Sequence, residues 1–160
     1  MSRRPSITNP VFDEPREHPG FTCRRSLLGR QAGSEKTGLS LWRLPPGEAA
    51  YPYHWHFATE ETIVVLEGTP SLRSPTGASE LAAGDVVCFR AGEDGAHQII
   101  NRTVGEVRFL SFSNQQPDAV VYPDSGKLLA AEVRPDGGGA RHIFRIDDEV
   151  DYYDGEEAPR

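Results

Sequence analysis

Cysteine, methionine and long apolar runs are all scarce in this chain of 160 residues. The only cysteines are Cys23 and Cys88, far apart and without a C-x-x-C, and there is one methionine. That spacing supplies neither a thiol redox motif nor a zinc ribbon, and both thiols are expected to be reduced and buried. Cys88, between Val87 and Phe89, is read as core. No stretch approaches the ~18 consecutive apolar residues of a membrane-spanning helix, so no membrane partner is expected. The opening segment MSRRPSITNP has two arginines but no apolar region behind them. A secretory signal is therefore not expected, and the location is read as cytoplasmic. Basic residues are also in deficit, 17 Lys and Arg against 24 Asp and Glu, for a net charge of -7. No basic patch with interleaved aromatics is present, which speaks against nucleic acid as a partner. The acid excess is concentrated at the end: residues 147–160 hold seven acids and one base. This is read as a solvated acidic tail.

Chain breakers, by contrast, are abundant, with 16 glycines and 13 prolines. They leave little room for helices, and no 3.6-residue period is sustained over three turns. Short β-type runs are expected at 22–28, 39–44, 49–54, 61–67, 71–73, 86–89, 98–101 and 107–112, separated by turn signals such as Pro45-Pro46-Gly47, Glu67-Gly68 and Ala83-Gly84-Asp85. Strands at this spacing predict an all-β sandwich or barrel. The run Thr62-Ile-Val-Val-Leu66 is expected to be a strand buried on both faces. Residues 1–20, with four prolines, read as an extended N-terminal arm, 21–115 as the barrel, and 116–160 as a C-terminal extension carrying the acidic tail. In that extension 122–127 is read as a turn, 133–140 as a flexible glycine-rich loop and 142–146 as a late edge strand.

Of the five histidines, His54 and His56 are two residues apart. On a strand both imidazoles point to one face while Trp55 points to the other. Glu61 follows at the head of the apolar run, and His97 begins another predicted strand. Three imidazoles and a carboxylate suit Zn, Ni, Fe, Mn or Co, with positions left for water or substrate. An H-x-H pair alone is a weak signal, and aromatic packing beside Tyr51, Tyr53 and Trp55 is the competing reading. The glycines Gly68, Gly84 and Gly92 read as turn residues with positive φ, and Gln98 and Asn101 as hydrogen-bonders behind the site or in turns. His18, His142 and Lys127 read as surface residues.

Framing glycines make the pattern specific. Residues 47–68, GEAAYPYHWHFATEETIVVLEG, match G-x(5,6)-H-x-H-x(3,4)-E-x6-G through Gly47, His54, His56, Glu61 and Gly68. Residues 84–101, GDVVCFRAGEDGAHQIIN, resemble G-x5-P-x-G-x2-H-x3-N through Gly84, Gly92, His97 and Asn101. Arg90 stands where the second motif has proline, and four residues rather than two separate Gly92 from His97. These two segments resemble the two motifs of the cupin superfamily, and the flanks resemble its small bacterial single-domain members. The resemblance implies a double-stranded β-helix (jelly-roll) barrel with few or no helices. It also implies one divalent metal ion (Zn, Ni, Fe or Mn) held by His54, His56, Glu61 and His97. Glu60 is the rival carboxylate, but Glu61 keeps six residues before Gly68.

Such a site implies a metal-dependent enzyme acting on a small oxygen-rich metabolite, by isomerase, dioxygenase, decarboxylase or lyase chemistry. The alternative is a non-catalytic module that binds a small molecule. No general base stands out, Glu60 and Tyr53 being the nearest candidates. Strand alternation is expected to turn Ile63, Val65, Ile99 and Phe109 or Leu110 toward the pocket. Arg43, Arg73, Arg90 and Arg108 are the nearby cations. One of them turned inward would favour an anionic substrate, and none an apolar ligand or a binder. A homodimer is expected, using the arm and an apolar surface of Leu27, Leu28, Leu39 and Leu41.

Overall fold

Strand lengths follow the spacing of the glycines and prolines. The computed structural model describes residues 4–13, 15–132, 134 and 138–157. In chain order the strands are β1 (Arg24–Ser26), β2 (Thr37–Leu44), β3 (Trp55–His56), β4 (Glu61–Glu67), β5 (Ser71–Ser74), β6 (Gly77–Glu80), β7 (Val86–Phe89), β8 (Gln98–Ile100), β9 (Val107–Asn114), β10 (Asp118–Tyr122), β11 (Lys127–Ala131) and β12 (Arg141–Arg145). They form an antiparallel five-stranded sheet β1-β2-β9-β4-β7, a four-stranded sheet β12-β11-β10-β3 and a three-stranded sheet β6-β5-β8. The fold is an all-β jelly roll, as expected. None of the described helices is long and apolar enough to cross a membrane.

The core lies between the sheets. Leu44, Ile63, Val65, Ile99, Val107 and Phe109 are all excluded from solvent, and Phe109 stacks on Trp42 with ring centroids 5.8 Å apart. On β4 the alternation is clear: Ile63 and Val65 are buried, while Thr62, Val64 and Leu66 are half-buried. The expectation of burial on both faces is thus corrected to one core face and one partly covered face. Gly68 ends β4 at φ +80°, and a Cβ there would stand 2.9 Å from Val107 Cγ2 and 3.0 Å from the Glu106 carbonyl oxygen. Both the turn and the close approach of β9 require glycine.

Several local features differ from the sequence reading. Among the described residues the one α-helix, α1 (Leu28–Ala32), is a single turn closed by Gly33 at φ 86°, too short to leave a helical period. β6 has all four residues exposed, so no apolar alternation marked it. Residues 49–54 do not form a strand; their backbone meets β8 and its approach at the isolated bridges Ala49↔Ile100 and His54↔His97. β10 and β11 pair as a hairpin through the predicted turn, closed by Pro123–Ser125. β12 pairs with β11 and is the predicted edge strand. The loop read at 133–140 has residues 133 and 135–137 outside the described residues. Cys23 is buried and unpaired, but Cys88 is exposed. On β7 it is Phe89 that enters the core, which puts its neighbour Cys88 on the solvent face. The described part of residues 4–20 runs along its own barrel, where Asp13 N–H donates to the Arg25 carbonyl (2.8 Å) and Ser26 Oγ donates to the Val11 carbonyl (2.6 Å).

Candidate metal centre

The two histidine segments meet through backbone pairing. His54 and His97 face each other across an antiparallel bridge, with His97 N–H donating to the His54 carbonyl (2.9 Å) and His54 N–H to the His97 carbonyl (3.2 Å). Their ring centroids are 4.7 Å apart, and those of His54 and His56 4.9 Å. Trp55 turns the other way, onto Phe57. The two extra residues before His97 are absorbed by a 3₁₀ turn, Glu93–Gly95, which Gly92 opens at φ 100°. Glu61, at the head of β4, points inward: its Oε2 lies 3.1 Å from His97 Nε2, 3.6 Å from His56 Nε2 and 3.9 Å from His54 Nε2. Glu60 is exposed, its N–H donating to Asn114 Oδ1. Ligand atoms of His54, His56 and Glu61 all lie within 4.8 Å of one another.

Each imidazole is oriented from behind. His54 Nδ1 lies 2.9 Å from the Pro52 carbonyl, His97 Nδ1 3.0 Å from the Gly95 carbonyl, and His56 Nδ1 2.6 Å from Asp118 Oδ2. All three partners only accept, so each Nδ1 carries a hydrogen and each Nε2 is turned inward, where a neutral ring offers a lone pair. Two such nitrogens, those of His54 and His56, are 3.1 Å apart. The buried His97 Nε2 has no hydrogen-bond partner. Converging lone pairs beside a carboxylate repel unless a cation sits among them. The donor set therefore fits a divalent ion of the N/O-preferring class.

Electrostatics agree. Burial, then the neighbouring His97, pushes His54 down to about 4, with Glu61 opposing. Burial alone would lower His56, but Glu61 and Asp118 outweigh it and raise its pKa. Burial would raise Glu61, yet the neighbouring His56 and His97 outweigh it and hold its carboxyl far below the usual carboxylate range. A carboxylate is thus kept ionised in a buried place, with positive charge drawn to it.

His54 and His56 open, with Glu61, into a cavity of about 410 Å³. Its lining includes Tyr51, Thr59, Asp118 and Tyr122, together with Arg16, Arg25 and Arg141. The Tyr51 ring stands edge-on to both His54 and His97, and its hydroxyl is held neutral by burial and by Glu61. Tyr53, by contrast, lies under Arg73, with the guanidinium 4.0 Å from the ring centroid, and so has no place in the cavity. Gln98 donates to the Tyr51 carbonyl and Asn101 to the Leu44 and Gly105 carbonyls, as supports behind the site. His18 and His142 are on the surface; Lys127 is half-buried over the Tyr122 ring.

Three readings of the pocket change. Ile63, Val65, Ile99 and Phe109 are inward but belong to the packed core, and Leu110 is half-buried. None of the four nominated arginines turns inward: Arg43 pairs with Glu106, Arg73 with Asp124 and Arg108 with Glu67, while Arg90 is exposed. The lining is nonetheless cationic, through arginines of the arm, β1 and β12 that sequence reasoning missed. Asp118 was missed as well. It lies 62 positions from His56 in a stretch with no motif, and only the pairing of β10 with β3 brings it there.

A barrel of this topology is a double-stranded β-helix. Residues 40–113 match the family described as cupin domain, and the chain carries a cupin domain over that segment. It is similar to a protein of Acidithiobacillus ferrooxidans provisionally named a sugar phosphate isomerase (28% identity, 86% of each chain, TM-score 0.74). It is also similar in fold to a sugar phosphate isomerase of the cupin superfamily from Silicibacter pomeroyi (24% identity, 94% of this chain and 97% of that one, TM-score 0.78). A third relative in fold is a polyketide cyclase from Streptomyces resistomycificus (24% identity, 71% of this chain and 80% of that one, TM-score 0.60). Comparison with curated protein sequences gave no significant match.

Proposed function

We propose that this cupin is a metal-dependent enzyme acting on a small oxygen-rich metabolite, of the isomerase type. One observation supports the reading: His54, His56 and Glu61 bring their ligand atoms within 4.8 Å of one another in the lining of a cavity of small-metabolite size, with His97 Nε2 3.1 Å from Glu61 and each imidazole oriented from behind. His54, His56, Glu61 and His97 would hold one divalent ion. When bound, such an ion supplies a Lewis acid for a carbonyl or carboxylate oxygen. Isomerase chemistry is preferred to dioxygenase, decarboxylase or lyase chemistry because the Acidithiobacillus relative carries that name.

The chain's own residues do the rest. Asp118 fixes the tautomer of His56, and the Pro52 and Gly95 carbonyls fix those of His54 and His97. Tyr51, neutral and buried beside Glu61, offers a hydroxyl proton to a substrate oxygen. A second reading, a non-catalytic binding module, is favoured by one observation. Every carboxylate lining the cavity among the described residues is already engaged: Glu61 and Asp118 with histidines, Glu132 with Arg134. No free general base is left.

The test is metal content of protein purified without a His-tag or chelator, beside a His54→Ala/His56→Ala double variant. Metal near one equivalent, lost in the double variant, is expected. The loaded protein is then incubated in D₂O with a panel of aldoses, ketoses and their phosphate esters, followed by NMR. Aldose–ketose interconversion supports the isomerase; saturable binding without turnover supports the binding module. Wild type that stays empty after incubation with divalent ions overturns both metal readings.

A further inference from the structure

Four buried polar side-chain atoms lack a hydrogen-bond partner among the described residues: Arg25 Nε, Trp42 Nε1, Tyr51 OH and His97 Nε2. Arg25, Trp42 and Tyr51 line the cavity above the histidines, and His97 lies against Glu61 at its floor. Buried polar groups are normally satisfied, so a cluster of orphans in one place points to a ligand that satisfies them. Two of the three in the cavity wall are pure donors, and Tyr51 can donate too.

The charges say what kind of ligand. Arg16, from the arm, and Arg25, on β1, both lie over the Trp42 ring, at 5.7 Å and 5.3 Å from its centroid. Arg141, on β12, lines the same cavity. None of the three makes an ion pair among the described residues, whereas Arg43, Arg73, Arg108 and Arg134 each do. The guanidinium of Arg25 is brought down to about 10 by burial and then by the repulsion of Arg16; Asp13 opposes this in part. Three like charges gathered with no ion-pair partner of their own among the described residues, in a chain whose net charge is -7, are not a by-product of a basic surface.

We propose that Arg16, Arg25 and Arg141, with the Trp42 N–H and the Tyr51 hydroxyl, form an anion subsite that takes the phosphate of a phosphate-monoester substrate, above the histidine cluster. The inference rests on the reading of this cavity as the substrate site, and deepens it by naming the substrate class. Phosphate is favoured over carboxylate by donor count. Three guanidinium groups and two further donors exceed what two carboxylate oxygens accept, and a phosphate ester brings three acceptor oxygens. A cavity of about 410 Å³ has room for a small sugar-sized ester.

The test is calorimetric titration of the metal-loaded protein with inorganic phosphate and, separately, with acetate. Variants are Arg25→Gln, Arg141→Gln and Arg16→Gln, with Arg73→Gln as a control on the outer surface. Metal content is measured on each. Saturable phosphate binding is expected, weakened about tenfold or more by Arg25→Gln and by Arg141→Gln and unchanged by Arg73→Gln, with acetate weaker than phosphate. Phosphate can also bind a metal ion directly, so the titration is repeated on the His54→Ala/His56→Ala protein, where binding at the arginines persists. Should Arg25→Gln fail to fold, Arg16→Gln and Arg141→Gln, at the rim, carry the test. Metal retained with no phosphate binding, or with binding indifferent to the arginine variants, overturns the subsite and leaves the metal reading standing. Acetate bound as tightly as phosphate overturns the phosphate assignment. Phosphate bound through the arginines by a protein that takes up no metal upholds the subsite and overturns the metal reading.

Discussion

Asp118→Asn isolates the role of a residue that touches no substrate. Both oxygens of Asp118 are in use: Oδ2 accepts from His56 Nδ1–H at 2.6 Å and Oδ1 from the Ala58 N–H at 2.9 Å, with the side chain 6% exposed. Asparagine has one acceptor oxygen, so one of these donors must face an amide NH₂. The charge-assisted bond to His56 is lost in either case, a loss of about 1.5–3 kcal/mol at a buried site. Without it the Nδ1–H tautomer of His56 is no longer favoured, and the inward nitrogen carries a proton part of the time. Metal affinity is expected to fall about 10- to 100-fold, the range for removing such an orienting partner. That is about 1.4–2.7 kcal/mol, which largely overlaps the loss estimated from the hydrogen bond. The assay is competition against a chromophoric chelator, with imidazole tautomers read by ¹⁵N NMR. Metal affinity equal to that of wild type, with His56 demonstrably in the other tautomer, would refute the reasoning.

Three further outcomes follow from the same geometry. Glu61→Gln should abolish stoichiometric metal uptake while Glu60→Gln leaves it intact; elemental analysis of the two variants decides between the neighbouring acids. Phe109→Ala, at a residue fully buried against Trp42, should lower stability by about 3–5 kcal/mol in denaturant unfolding, as for other buried aromatics. The metal-free protein should be most heat-stable near pH 6.5, where an ordinary histidine titrates. Below that pH the unfolded chain takes up a proton that buried His54, at about 4, refuses, so stability is lost as pH falls toward 4. Above it, His56, whose pKa is raised, keeps its proton in the folded state only, and that stabilisation is lost as pH rises through its folded pKa. A monotonic dependence of melting temperature on pH between 4 and 8 would contradict this assignment of His54 and His56.

Much of the barrel was legible because its cause is local. β4, β7 and β9 carry β-branched and aromatic alternation between turn glycines, and their register follows from which face is apolar. His54 and His56 share a face because alternate residues of an extended chain do, and Glu61 rather than Glu60 turns inward for the same reason. Elements without a local signature were not legible. β6 buries nothing, α1 is one turn, and β10 and β11 are stabilised by pairing with β3 and with each other rather than by a pattern of their own.

The cavity shows where the boundary lies. Residue spacing, and the family resemblance it carries, was enough to nominate His54, His56, Glu61 and His97, since two of them are neighbours on one strand-like segment and the segments are framed by turns that glycine permits. Spacing carries no information about which distant segment closes over them. Asp118 reaches His56 only because β10 pairs with β3, and Arg16, Arg25 and Arg141 meet only because the arm, β1 and β12 converge at one rim. The arginines nominated for their nearness in sequence all lie outside, three of them neutralised by surface acids. Local chemistry determined the floor of the site; long-range strand pairing, whose partners lie scores of residues apart, decided its charge and what it can accept.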